Sequence, residues 1–300
     1  MYFNQVEAKV AAKESIRRTR PSCALVMILY VLLTTGVSYL ISRSIGSVAD
    51  DFMTYLYRGY PLEQILEHLI LQNPGRVVLY GMVQFLFSLY SALMSFGLVS
   101  YTLRVARNEN PDFRHILDGF LKAGRVLWKD ILVDLFVYLW GMAGLLPLVL
   151  LAVVFSDSGL AITVAFLCAF VWVFVVIFIV LRYELANFFL LDDPDCTAWE
   201  SIRRSVTAMK GHTWELVSLI FSFIGWSLLI GVVAGILGII WEPLTSVVTM
   251  VGSLWLTPYI AVSKANFYDF ITGTMNRTDS SGDFAGPNYD YHATDGPQPF

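Results

Sequence analysis

Charge is scarce in this chain, and the ingredients of site chemistry are scarcer. Asp, Glu, Lys and Arg make up 15% of its 300 residues, and the interiors of its long apolar runs hold almost none. An ionisable group within a bilayer is costly, so in ion-coupled carriers and membrane enzymes such groups mark the working site. Here the candidates sit at the ends of the runs: Asp130 and Asp134, Arg182 and Glu184, and Glu215. Asp134 is the deepest, about one helical turn in, and is placed to pair with Arg182 or Lys129. The 3 cysteines, Cys23, Cys168 and Cys196, show no CxxC spacing or paired framework. That excludes a disulfide scaffold and a cysteine zinc site, leaving small apolar packers. His68, His115, His212 and His292 are scattered and form no HExxH, so no metal or other cofactor is expected. A Walker phosphate loop and a GxSxG nucleophile elbow are missing, nothing supports nucleic-acid binding, and the protein is not expected to be an enzyme. Asp192-Asp193-Pro194-Asp195 reads as a helix-ending turn with an N-cap, against the alternative of divalent-cation or phosphate-bridging chemistry.

What the sequence has in abundance is apolar length. It is 56% hydrophobic, and a bilayer core takes about 20 apolar residues per helix. Six stretches meet that length, at 22–43, 76–103, 131–155, 160–182, 214–240 and 243–264. The first, from Ser22 to Ser42, outruns the roughly 7–15-residue core of a cleavable signal, so it is expected to span. Of the 20 Lys and Arg, all but Arg43, Arg58 and Arg76 fall on the amino-terminal segment, the second and fourth connections and the end of the chain. Because basic residues stay on the cytoplasmic side, both termini are expected there, in a multi-pass protein of the plasma membrane. The divisions are a basic segment 1–21, a six-span membrane domain 22–271 and a tail 272–300, whose Gly, Asp, Ser, Pro and Asn content predicts disorder. The Asn276-Arg277-Thr278 sequon falls on the cytoplasmic side in this topology. On the opposite side, Pro61 to Leu71 predicts a short surface helix, ended by Asn73-Pro74-Gly75.

Two basic connections resemble each other. Each opens with Pro-Asp, at Pro111-Asp112 and Pro194-Asp195, and leads through Trp128 or Trp214 into the next span. In the first, Phe113, Ile116, Leu117, Phe120, Leu121, Leu127 and Trp128 share one face of a predicted interfacial amphipathic helix. In the second, Thr197-Ala198-Trp199-Glu200 reads as a capping box, with Trp199, Ile202, Val206 and Met209 on one side. Their cations, Arg114, Lys122, Arg125 and Lys129 in the first and Arg203, Arg204 and Lys210 in the second, are the candidate contacts for membrane lipids, anionic ones above all, or for a partner membrane protein. Gly231 and Gly235 form a GxxxG pair with Gly238 one turn on, which predicts close helix packing within the chain. Pro147 and Pro258 are expected to kink or divide their helices.

An ordered series of motifs runs through the carboxy-terminal half. It comprises Tyr183 and Ala186, Asp193-Pro194, Ser205, Met209-Lys210-Gly211, Leu219, and Ser222-Phe223-Ile224-Gly225-Trp226 with Leu228-Leu229. Pro258-Tyr259 and Ala265-Asn266-Phe267-Tyr268 complete it, while Gly119-Phe120, Leu139-Trp140 and Leu145-Leu146-Pro147 precede it. On these residues the chain resembles the bacterial integral membrane family called domain of unknown function 975. The resemblance implies a polytopic helical protein of bacterial type and brings no activity or catalytic residue with it. The layout is also distantly similar to the membrane domain that accompanies some glycerophosphodiester phosphodiesterases, without implying their hydrolase activity.

The expectation is therefore an all-α polytopic transmembrane bundle of about six spans with two cytoplasmic interfacial amphipathic helices. Its expected role is that of a non-enzymatic membrane-organising or accessory protein that engages anionic lipid or a partner membrane protein. A carrier or permease subunit for a lipid or small apolar solute is the alternative.

Overall fold

A computed structural model describes residues 3–273 except 21, 47, 72–73 and 155–158. The expected disordered tail beyond Gly273, with its Asn276 sequon, lies outside the described residues. All regular structure among the described residues is helical, and six helices are long and apolar enough to cross a membrane. The protein is an all-α polytopic bundle.

The chain opens with α1 (Gln5–Arg18), capped by the Asn4 side chain. Its buried face is built of Ala8, Ala12 and Ser15, small residues that let it lie close against the bundle. Asn266 Nδ2 donates to the Ala8 carbonyl at 3.0 Å, Phe3 meets the Phe267 ring edge-on at 4.9 Å, and Lys9 Nζ lies 4.8 Å from the Phe223 ring centre. The expected basic amino-terminal segment is thus a packed helix.

The first span runs through α2 (Cys23–Val31), a π turn at Leu32–Gly36 and α3 (Val37–Ile45). Gly46 ends it at φ +77°, with the Arg76 guanidinium passing where a Cβ would stand. Arg76 continues to Asp51 at 2.8 Å, tying the second span to the connection that precedes it. That connection holds α4 (Val48–Tyr57), not foreseen from the sequence, and α5 (Leu62–Leu66) with its π turn Glu67–Leu71, where a short helix was expected.

The remaining long helices are α6 (Pro74–Ala106), α8 (Ala123–Val154), α9 (Gly159–Leu181), α12 (Thr213–Ile240) and α13 (Pro243–Thr272). Short elements join them on the basic side: a 3-10 turn Phe113–Leu117 with α7 (Asp118–Leu121), then α10 (Ala186–Asp192) and α11 (Ala198–Ala208). Pro147 and Pro258 both sit inside continuous helices and divide neither.

The first expected interfacial helix is broken. Residues 113–121 make a 3-10 turn and one α-turn, and Leu127 and Trp128 already belong to α8, which begins at Ala123 rather than at 131. The cause is close backbone packing: a Cβ on Gly97 would lie 1.7 Å from the Ile116 carbonyl oxygen, and one on Gly119 would lie 2.0 Å from that of Leu93. The segment tucks its backbone onto α6, leaving Phe113, Leu117, Phe120 and Leu121 exposed while Ile116 is buried. The second connection does form its helix, with Thr197 Oγ1 accepting from the Glu200 backbone N–H at 3.2 Å. Its inner face is Ala198, Ser201, Ile202, Ser205 and Met209, and Trp199 points outward.

Expected packing at the GxxxG pair is corrected. Nothing lies within 4 Å of a Cβ placed on Gly231 or Gly235, whereas one on Gly238 would meet Thr245 Oγ1 at 2.1 Å. The close helix approaches fall elsewhere, at Gly252 against Ile230 and at Gly144 beneath the Trp172 ring.

Candidate functional site

The basic ends of the long helices converge, and most buried side chains collect there. One core cluster packs Leu103, Leu185, Phe188, Leu216, Phe267 and Tyr268 together, another gathers Cys23, Met27, Tyr101, Ile116 and Val262, and a third centres on Phe96, Val126 and Leu190. The opposite halves of the helices are apolar and exposed, as a face toward lipid requires.

Inside the basic end stands a side chain that sequence reasoning did not single out. Arg107, just past α6, makes a two-pronged contact with Asp192, Nη1 to Oδ1 at 2.7 Å and Nη2 to Oδ2 at 2.8 Å. Its Nη2 also reaches Asp269 Oδ1 at 2.7 Å, and the Tyr268 hydroxyl donates to Asp192 Oδ2 at 2.8 Å. One guanidinium therefore joins the ends of α6, α10 and α13. Burial works against its charge, but the hydrogen bonds to Asp192 and Asp269 outweigh it and raise its pKa further. The backbone turn behind it uses Asn108 and Asn110 at positive φ, 57° and 49°, a conformation asparagine tolerates better than most residues. An acid in the last turn of a span, Asp269, was the available signal that an unassigned cation had to lie nearby.

Four of the seven candidate lipid-contacting cations are occupied within the protein. Lys129 is buried at 4% exposure, bonded to Asp130 and to Asn187 Oδ1 at 2.6 Å, so it is a core group, and no hydrogen bond or ion pair joins it to Asp134 among the described residues. Lys122 donates to the Leu190 and Leu191 carbonyls at 3.1 and 3.4 Å, satisfying the exposed end of α10; burial and the charge of Arg125 lower its pKa. Arg125 donates to the Pro194 carbonyl. Arg204 bridges Glu200 at 2.5 Å and Asp193 at 2.9 Å, which raises its pKa. Arg203 and Lys210 remain exposed with no ion pair among the described residues, and the Arg114 side chain is 82% exposed, 3.8 Å from Asp112.

The Asp192–Asp195 turn forms as expected. Asp193 Oδ1 accepts from the Asp195 backbone N–H at 3.0 Å, and this bond with the Arg204 contact holds the Asp193 carboxyl below the usual range. Asp192 and Asp193 are neighbours in sequence but answer to different cations, Arg107 and Arg204. The described residues contain no group of three or more His, Cys, Asp or Glu side chains placed to hold a metal ion.

Around this end runs a belt of exposed large apolar side chains: Phe113, Phe120, Trp128, Trp199 and Trp214. Aromatic and cationic side chains in one band are the mark of a headgroup-level interface. No curated protein and no solved structure matches this chain. The family described as Protein of unknown function (DUF975) matches residues 1–275, and the chain belongs to that family.

Proposed function

We propose that this is a non-enzymatic membrane-organising or accessory protein of a bacterial plasma membrane, with its basic end in the cytoplasm engaging anionic lipid or a partner membrane protein. The observation that carries this reading is the solvent-exposed cations Arg114, Arg203 and Lys210, of which only Arg114 has an ion-pair partner among the described residues, the exposed Asp112, set among the exposed aromatics Phe113, Trp199 and Trp214. A cation near an anionic leaflet is worth about 1 kcal/mol, so three together favour anionic over neutral lipid by roughly 100-fold at low salt. The triple variant Arg114→Gln, Arg203→Gln, Lys210→Gln should lose most of that preference when lipids retained from mixed bilayers are counted by native mass spectrometry. Undiminished retention of anionic lipid and of any co-purifying protein by the variant would refute the reading.

A second reading, a carrier or permease subunit for a lipid or small apolar solute, is favoured by an apolar hollow of about 440 Å³ between α12 and α13. Trp226, Ile230, Val251, Gly252 and Trp255 are among the residues that line it.

A further inference from the structure

A second hollow, of about 470 Å³, opens between the first turns of α8 and the turn into α11. We infer that it is a binding site for the phosphoethanolamine headgroup of a zwitterionic membrane lipid. One wall is α8, with Gly124, Arg125 and Trp128; the other runs from Pro194 to Ala198 and carries Asp195. Nothing lies within 4 Å of where a Gly124 Cβ would stand, so that wall is open.

The two charges on the rim are opposite and form no ion pair with each other among the described residues. Asp195 bonds through its backbone N–H, and its carboxylate has no hydrogen-bond or ion-pair partner among those residues. Arg125 commits one terminal nitrogen to the Pro194 carbonyl and keeps further N–H donors of its fork. Trp128 stands 57% exposed beside them, at the start of a membrane-crossing helix. Cys196 is a wall of the hollow: it is buried, and that burial raises its thiol pKa, so it stays neutral.

A ligand that satisfies this rim carries a negative and a positive group a few bonds apart. A phosphodiester accepts from Arg125, while a primary ammonium brings three N–H donors to Asp195 and can rest against the indole face. A purely anionic headgroup gains Arg125 but meets Asp195 as a like charge. A choline headgroup brings a cation with no N–H to donate. The ligand is assigned to the bilayer because Trp128 and the start of α8 place the hollow at headgroup level, and to that extent the inference rests on the proposed membrane placement of the basic end. It uses none of the exposed cations Arg114, Arg203 and Lys210.

The test uses the full chain in nanodiscs holding equal phosphatidylethanolamine, phosphatidylcholine and phosphatidylglycerol, with retained lipids counted by native mass spectrometry. The unaltered protein should retain ethanolamine over choline lipid at least about threefold. Asp195→Asn should abolish that preference without lowering glycerol-lipid retention, while Asp195→Glu keeps it. Arg125→Gln should lower both zwitterionic lipids. The triple variant Arg114→Gln, Arg203→Gln, Lys210→Gln should lower only phosphatidylglycerol, so the two readings fail separately. Equal retention of ethanolamine and choline lipids by the unaltered protein, or a preference that survives Asp195→Asn, would overturn the site. Soluble glycerophosphoethanolamine binding the detergent-purified protein as tightly as the diacyl lipid would overturn its assignment to the bilayer.

Discussion

Arg107 contacts carboxylates from two different helices at 2.7 Å, and the Asp269 side chain is only 7% exposed. Removing one member of a fully buried ion pair typically costs about 3–5 kcal/mol, because the groups left behind have already lost their water; with Arg107 and Asp192 at 22% and 28% exposure, the cost here falls below that range. Arg107→Gln should therefore lower the thermal unfolding midpoint in detergent well beyond any change from Arg114→Gln. Arg107→Lys should recover only part of the loss, because an ammonium cannot reproduce the two-pronged contact. Equal midpoints for Arg107→Gln and the unaltered protein would show the network to be incidental. Asp193 contributes in a pH-dependent way. Its carboxyl lies below its ordinary value of 3.8, so its contribution is present above that value and fades as pH falls through the depressed one. Melting curves from pH 6 to pH 3 should show that acid-sensitive component in the unaltered protein and lack it in Asp193→Asn. Residue identity alone marked Lys122, Arg125, Lys129 and Arg204 as cations of the basic connections. Whether each reached outward or inward depended on Asn187, the α10 carbonyls, Pro194 and Asp193, partners brought in by other elements.

The spans were readable because apolar length is a property of the chain in one dimension. Each of the six expected stretches overlaps one of the six helices long and apolar enough to cross a membrane. The break in the first interfacial helix was not readable, because it follows from Gly97 and Gly119 meeting carbonyls of a neighbouring segment at distances that no Cβ tolerates. Helical periodicity reports the face of a helix and carries no information about a backbone that tucks in. Gly97 and Gly235 give contrasting predictions. Gly97→Ala places a methyl onto the Ile116 carbonyl and should cost about 1–3 kcal/mol or more in overpacking. Gly235→Ala enters open space and should be neutral or stabilise by up to about 1 kcal/mol through helix propensity. Parallel melts of the two variants decide this, and a destabilising Gly235→Ala would restore the GxxxG pair as a packing site.

At the scale of the whole molecule, packing and charge share one end. The three core clusters, the Arg107 network and α1 all lie where the basic connections meet, and the far halves of the long helices are largely exposed apolar surface. The bundle is locked on its basic side and leaves an apolar surface on the other. The proposed engagement of anionic lipid in the cytoplasmic leaflet requires that locked end to face the cytoplasm. Single cysteines at position 203 on the basic end and position 58 on the outer connection report the orientation directly, in a background with Cys23, Cys168 and Cys196 replaced. With a membrane-impermeant maleimide on intact cells, Arg58→Cys should label and Arg203→Cys should label only after the membrane is opened. Labelling of position 203 from outside, with position 58 protected, would invert the molecule and contradict the account.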